Sequence, residues 1–87
     1  MLPTINIPET GKRIKSIMQD RGMTVKDVQT VFGFETPQAV YKWVQGKNLP
    51  TVDNLVILAS LFGVLIDEII VVEKEHKWQN RKTSISA

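Results

Sequence analysis

Glycines stand at positions 22, 33, 46 and 63, and each closes a stretch of helix-forming residues too short to persist alone. Isolated helices below about 12–15 residues are marginal in water, so segments cut to this length must pack against one another. The starts of the segments carry matching signals. Thr24, Thr36 and Thr51 each precede a run with helical apolar spacing, where a hydroxyl accepts from an unpaired first-turn amide. Pro37 then falls at a first helical position, where a missing N–H costs nothing.

The segments define themselves by their apolar spacing. Residues 8–21 carry Ile14, Ile17 and Met18 on one face, with Gly22 as terminator. A second helix after Thr24 carries Val25, Val28, Val31 and Phe32 and is closed by Gly33. The third runs from Thr36 to Gly46. The fourth, after Thr51, turns Leu55, Leu58, Ala59 and Phe62 inward, and a short fifth covers Ile66 to Val71. No segment shows sustained period-two alternation. The expected fold is all-α, a compact bundle of five short helices. The boundaries expected are an N-terminal arm over 1–7, a domain over 8–72 and a flexible basic tail over 73–87, in which Trp78 is a lone aromatic.

At 87 residues the chain suffices for one small core. It has no cysteine, which excludes disulfides and thiolate zinc sites. The sole histidine, His76, has no second histidine or cysteine to complete a metal site. Asp67-Glu68 stands at a helix start, where carboxylates complement the dipole. Thr10-Gly11-Lys12 and Gly46-Lys47 lack the glycine spacing of a phosphate-binding loop. No cofactor, no metal and no enzymatic activity are expected. The longest apolar run, Ile69-Ile70-Val71-Val72, is far below membrane-spanning length, and the N-terminus has no basic n-region, so a cytoplasmic location is expected.

Charge is unevenly distributed. Residues 1–50 hold seven Lys and Arg against four Asp and Glu, whereas residues 51–75 hold one against five. A basic front half suits contact with phosphates. Within it, the third helix has a distinctive wheel. With Val40 at the origin, Trp43 and Val44 fall within about 60° of it, and Gln45, Gln38 and Lys42 fall opposite, at about 140°, 160° and 200°. Tyr41 sits at the edge. The helix is thus anchored by Val40, Trp43 and Val44 and presents amides and an ammonium outward. Glutamine can bond an adenine edge bidentately, and lysine can reach the paired acceptors of guanine.

A helix, Gly33 at a turn and then a helix of this kind is a helix-turn-helix arrangement, whose second helix enters the major groove. An ordered set of pieces resembles the lambda-repressor-like, Cro-type (Xre-type) helix-turn-helix family. It comprises Gly11-Lys12-Arg13-Ile14-Lys15, Arg21-Gly22-Met23-Thr24, Gly33-Phe34, Tyr41-Lys42-Trp43, Gly46-Lys47, Leu49-Pro50-Thr51, and Leu58-Ala59 through Phe62-Gly63-Val64 to Asp67-Glu68-Ile69-Ile70. The resemblance implies a five-helix domain that binds double-stranded DNA, commonly a transcription regulator, here a repressor, working as a dimer on paired half-sites. It implies base contacts by Gln38 and Lys42, helped by Tyr41 and Gln45. Phosphate contacts would come from Thr36, Lys47 and Asn48, through side chains or amides, and more weakly from Thr24, Lys26, Lys12 and Arg13. The alternative is an antitoxin or adaptor that uses the same fold to bind protein.

Three departures from the family pattern stand out. The turn before Trp43 is one residue longer than usual, within Phe34-Glu35-Thr36-Pro37. The family's phosphate-holding glutamine after the second cap is replaced by Val25, so Lys26 or Thr24 would have to substitute. A family arginine–glutamate pair is replaced by Met18 and Val44, which are expected to touch in the core. Finally, Ile69-Ile70-Val71-Val72 is expected to be the most exposed apolar material and to form, with the fourth and fifth helices, a homodimer contact.

Overall fold

Asn6 starts the first helix, because its side-chain oxygen accepts from the amide of Glu9 at 3.0 Å. The computed structural model describes residues 4–73. Its elements in order are β1 (Thr4–Ile5), α1 (Ile7–Asp20), α2 (Val25–Phe32), α3 (Gln38–Val44), α4 (Val52–Phe62), α5 (Ile66–Ile69) and β2 (Val72–Glu73). Five short helices make the body of the fold, as the spacing of stops and caps predicts. The masses of Ile14, Met18, Val28, Val40, Trp43, Leu55, Leu58, Phe62 and Ile69 form its buried core. Glycines at left-handed φ end α2 and α4, at Gly33 and Gly63.

Arg13 of α1 and Arg21, which caps its end, tie the later helices to it. Arg21 Nε donates to the Phe62 carbonyl at the end of α4 (3.0 Å), and Arg13 donates to the Glu68 carbonyl in α5 (2.7 Å). Both place a cation against helix C-terminal carbonyls, where the dipole favours it. The buried hydroxyl of Thr10 accepts from the Val71 amide at 3.0 Å, fixing the exit of α5 on α1.

The strand pair is the element that periodicity misses. β1 and β2 run antiparallel, with Thr4 opposite Glu73 and Ile5 opposite Val72. Two residues are too few to display alternation, and the partners are far apart in sequence. Residues 4–6 of the expected N-terminal arm are therefore paired with the end of the described domain. Asn6 reinforces the pairing: its amide donates to the Val71 carbonyl (2.8 Å) and its side-chain nitrogen to the Glu73 carboxylate (3.2 Å).

Three local expectations need correction. The fifth helix ends at Ile69 rather than Val71, because Ile70 turns to extended backbone that leads into β2. Val31 faces solvent, since one turn of α2 buries only Val28 fully. Ile69 is completely buried and Ile70 and Val71 are partly so, leaving Val72 as the exposed member of that run. These residues cap the core and close the strand pair, so the run is not the most exposed apolar material. Trp78, His76 and the rest of the tail beyond Glu73 lie outside the described residues.

Candidate nucleic-acid interface

The position of α3 is set from three sides. Val40 and Trp43 are buried, and α1 packs across them. Phe32 from the end of α2 and Phe34 from the turn stack at a centroid distance of 5.1 Å, and both meet the Trp43 ring edge-on, at 5.3 and 6.0 Å. Aromatic pairs in these geometries add to the stabilisation from burial. The longer turn is thus filled rather than loose. Gln29 secures it, accepting from the Phe34 amide through its carbonyl (3.1 Å) and donating its side-chain amide to the Phe34 carbonyl (3.2 Å). Sequence reasoning assigned Gln29 no role. Its place five residues before Phe34 was the available signal.

Thr36 is not the cap of α3. Pro37 takes the N-cap position with φ −83° and ψ 4°, no side chain caps the end, and the Pro37 carbonyl receives the first helical bond from Tyr41 at 3.0 Å. The bend through 35–37 delays the helix by one residue. Thr36 is exposed on that bend.

The outward face of α3 has the composition expected. Gln38, Lys42 and Gln45 are exposed, and Tyr41 is 43% exposed at the edge of the stripe. None of the four forms a side-chain hydrogen bond to another described residue. Two arrangements bear on the groups expected at phosphates. The amides of Lys47 and Asn48 both donate to the Lys42 carbonyl, at 2.9 and 3.3 Å, which leaves only their exposed side chains for an anion. At the start of α2, Thr24 and Asp27 form a reciprocal capping box, with Thr24 N donating to the Asp27 carboxylate (2.8 Å) and the Thr24 hydroxyl accepting from Asp27 N (3.1 Å). Bonding from the Thr24 amide, then from its side chain, holds the Asp27 carboxyl below its ordinary range.

That box puts a carboxylate at a helix start where an anion would otherwise be welcome, and it occupies the Thr24 amide. Lys26, exposed beside it, is the local cation. Lys12 pairs with Glu9 at 3.0 Å on the exposed side of α1, and Arg13 donates to the Glu68 carbonyl, which commits it within the fold. Met18 is buried and Val44 partly buried, and they flank one cavity between α1 and α3. Among the described residues no group of His, Cys, Asp and Glu could hold a metal, and no helix is long and apolar enough to cross a membrane.

A family model described as helix-turn-helix matches residues 14–69. The chain is similar to the crystal structure of the DNA-binding domain of BldD, with a TM-score of 0.65 and 22% identity over 76% of this chain and 94% of that one. At that identity the likeness speaks for the fold alone. No curated protein matches the chain.

Proposed function

We propose a function from one premise: the chain belongs to the helix-turn-helix family, of the lambda-repressor-like type. On that premise it is a sequence-specific, double-stranded DNA-binding transcription regulator of the cytoplasm, acting as a repressor. Its α3 lies in the major groove. The observation that carries this reading is the uncommitted polar face of α3, Gln38, Tyr41, Lys42 and Gln45, held rigidly from behind by Val40, Trp43 and the Phe32–Phe34 pair. Gln38 and Lys42 read base edges, with Tyr41 and Gln45 beside them. The side chains of Lys47, Asn48, Lys26 and Thr36 hold phosphates. The Thr24 hydroxyl and Lys12 are weaker contributors, and Arg13 serves the fold first. The functional unit extends from β1 through β2.

Two copies on paired half-sites fit the size of one domain. The exposed apolar side chains around α5 are Leu65, at 70% exposure, and Val72, at 41%, and these form the proposed two-fold contact.

Selection of bound duplexes from a random pool tests the function directly. A regulator of this kind enriches a motif with two-fold symmetry, and its affinity for random duplex falls steeply as salt is added. No enrichment and no salt-dependent binding would favour an adaptor instead. The exposed Val31, Val56 and Ile57 on α2 and α4 are the surface that reading would use.

A further inference from the structure

A cavity of about 370 Å³ opens between α1, the start of α2 and α3. Its walls include Met18, Val25 and Val44, and its mouth carries Lys15, Tyr41 and Gln45. Ligand sites are typically concave, largely apolar and furnished with a few converging polar groups, with volumes from about 300 Å³ upward. This one is at the small end, suited to a single ring with a short chain.

The polar groups specify the head of the occupant. No Asp or Glu lines the cavity, and Lys15 is its one charged group. The ion pairs among the described residues are Lys12–Glu9 and Arg21–Asp20, so the exposed Lys15 ammonium has no anionic partner there. The Tyr41 hydroxyl and the Gln45 amide are further donors. A carboxylate over these groups, with an apolar body against Met18, Val25 and Val44, complements the site in charge and in polarity. Met18 adds a wall that adapts to ring shape. Two other concavities lack this combination. In the groove near β2, Arg13 is already bonded to the Glu68 carbonyl and Asp67 opposes an anion, and the α2–α4 groove offers only Ser60 to orient a ligand.

We propose that this cleft binds a small organic acid with an aromatic or branched apolar body, and that its occupancy alters DNA reading by α3. The second half rests on the DNA-binding function proposed above, because Tyr41 and Gln45 belong at once to the cleft and to the outward stripe.

The test is a chemical-shift titration of the full isotope-labelled chain with 4-phenylbutyrate and, separately, with its uncharged amide. The expected result is saturable shifts at Lys15, Val25, Tyr41 and Val44, with the acid binding more tightly than the amide. Lys15→Glu, on an exposed side chain, should weaken the acid by about fivefold or more and leave the amide unchanged. Val25→Phe, which narrows the cavity, should abolish both. Should that variant fail to fold, the Lys15→Glu comparison decides alone. Absence of saturable shifts, equal affinity for acid and amide, or indifference to Lys15→Glu would overturn the site. A selected duplex is then titrated with and without the acid. A shifted affinity supports the coupling, and an unchanged one refutes it. Acid binding by a protein that binds no DNA would refute the regulator function while leaving the site intact.

Discussion

Gly11 of α1 and Gly46, just beyond α3, meet backbone to backbone. A β-carbon on Gly11 would lie 2.9 Å from the Gly46 nitrogen and would overlap the Trp43 carbonyl oxygen, and one on Gly46 would lie 2.6 Å from the Pro8 α-carbon. The longest helix therefore rests directly on the end of α3. No side chain lies between them to absorb a change.

Gly11→Ala tests this contact. In an open helix the substitution would stabilise by about 1 kcal/mol through propensity. Here the methyl must displace Trp43 and Gly46, so a net loss of roughly 1–3 kcal/mol is expected in thermal unfolding, with DNA affinity falling for all sequences alike. A variant more stable than the parent would show that the two backbones have room to part.

On the outward face of α3 the expected signature is the reverse. Gln38→Ala and Lys42→Ala should each cost roughly 1–3 kcal/mol on the preferred site and relax selectivity at one base pair, with unchanged unfolding temperature. Val40→Ala, at a fully buried position, should instead lower stability by about 1 kcal/mol or more and weaken binding without regard to sequence. Selectivity profiles measured beside melting curves separate the two. If both polar variants keep the parental preference, bases are read elsewhere.

Thr10→Val preserves shape while removing the acceptor for the Val71 amide. Leaving a buried donor unpaired costs roughly 1–3 kcal/mol. Hydrogen exchange should locate the damage at Val71 and the β1–β2 pair before the rest of the domain. Uniform acceleration throughout would mean that the bond is not a local tie.

Asp27 supplies a pH dependence whose sign is fixed. Its folded carboxyl is held below the ordinary range, chiefly by the Thr24 amide. The resulting stabilisation is fully present above the ordinary carboxylate pKa, near pH 4, and is lost as pH falls through the lowered value. Asp27→Asn should therefore be less stable than the parent near neutrality and should lose less stability on acidification. Parallel melting-temperature curves against pH would contradict this.

Leu65→Glu places a charge on the proposed contact between copies. The variant should remain folded, because Leu65 is largely exposed, and should sediment as a monomer with weakened binding to a two-fold site but not to a half-site. Unchanged assembly would move the contact away from α5.

Much of this fold is legible because its signals are local. Thr24 and Thr51 cap where their hydroxyls can reach the third following amide, and Gly33 and Gly63 stop helices where the backbone turns left-handed. The aromatic wheel position of Trp43 was equally plain. Thr36 misled because Ser/Thr-Pro is a cap signal only when the chain enters the helix at once, and here the Phe34 side chain pulls the turn inward first. Arg13 reads as a weaker phosphate candidate because nothing local announces a carbonyl 55 residues away. The engaged amides of Lys47 and Asn48 depend on how α3 unwinds, which a periodic pattern does not record. The β1–β2 pair failed for the same reason: its evidence is entirely long-range.

That pairing sets an order of assembly. Asn6 and Glu73 are 67 residues apart in the chain and bonded in the fold. Closing so long a loop is a late event, since its entropy is repaid only once the intervening helices have condensed. On a ribosome, α1 through α4 can emerge and gather, yet the clasp waits until Glu73 has cleared the exit tunnel. Until then α1 lacks the bond from the Val71 amide to Thr10, and α1 is the helix on which α3 rests. A nascent chain thus closes this domain only when synthesis has passed its last strand.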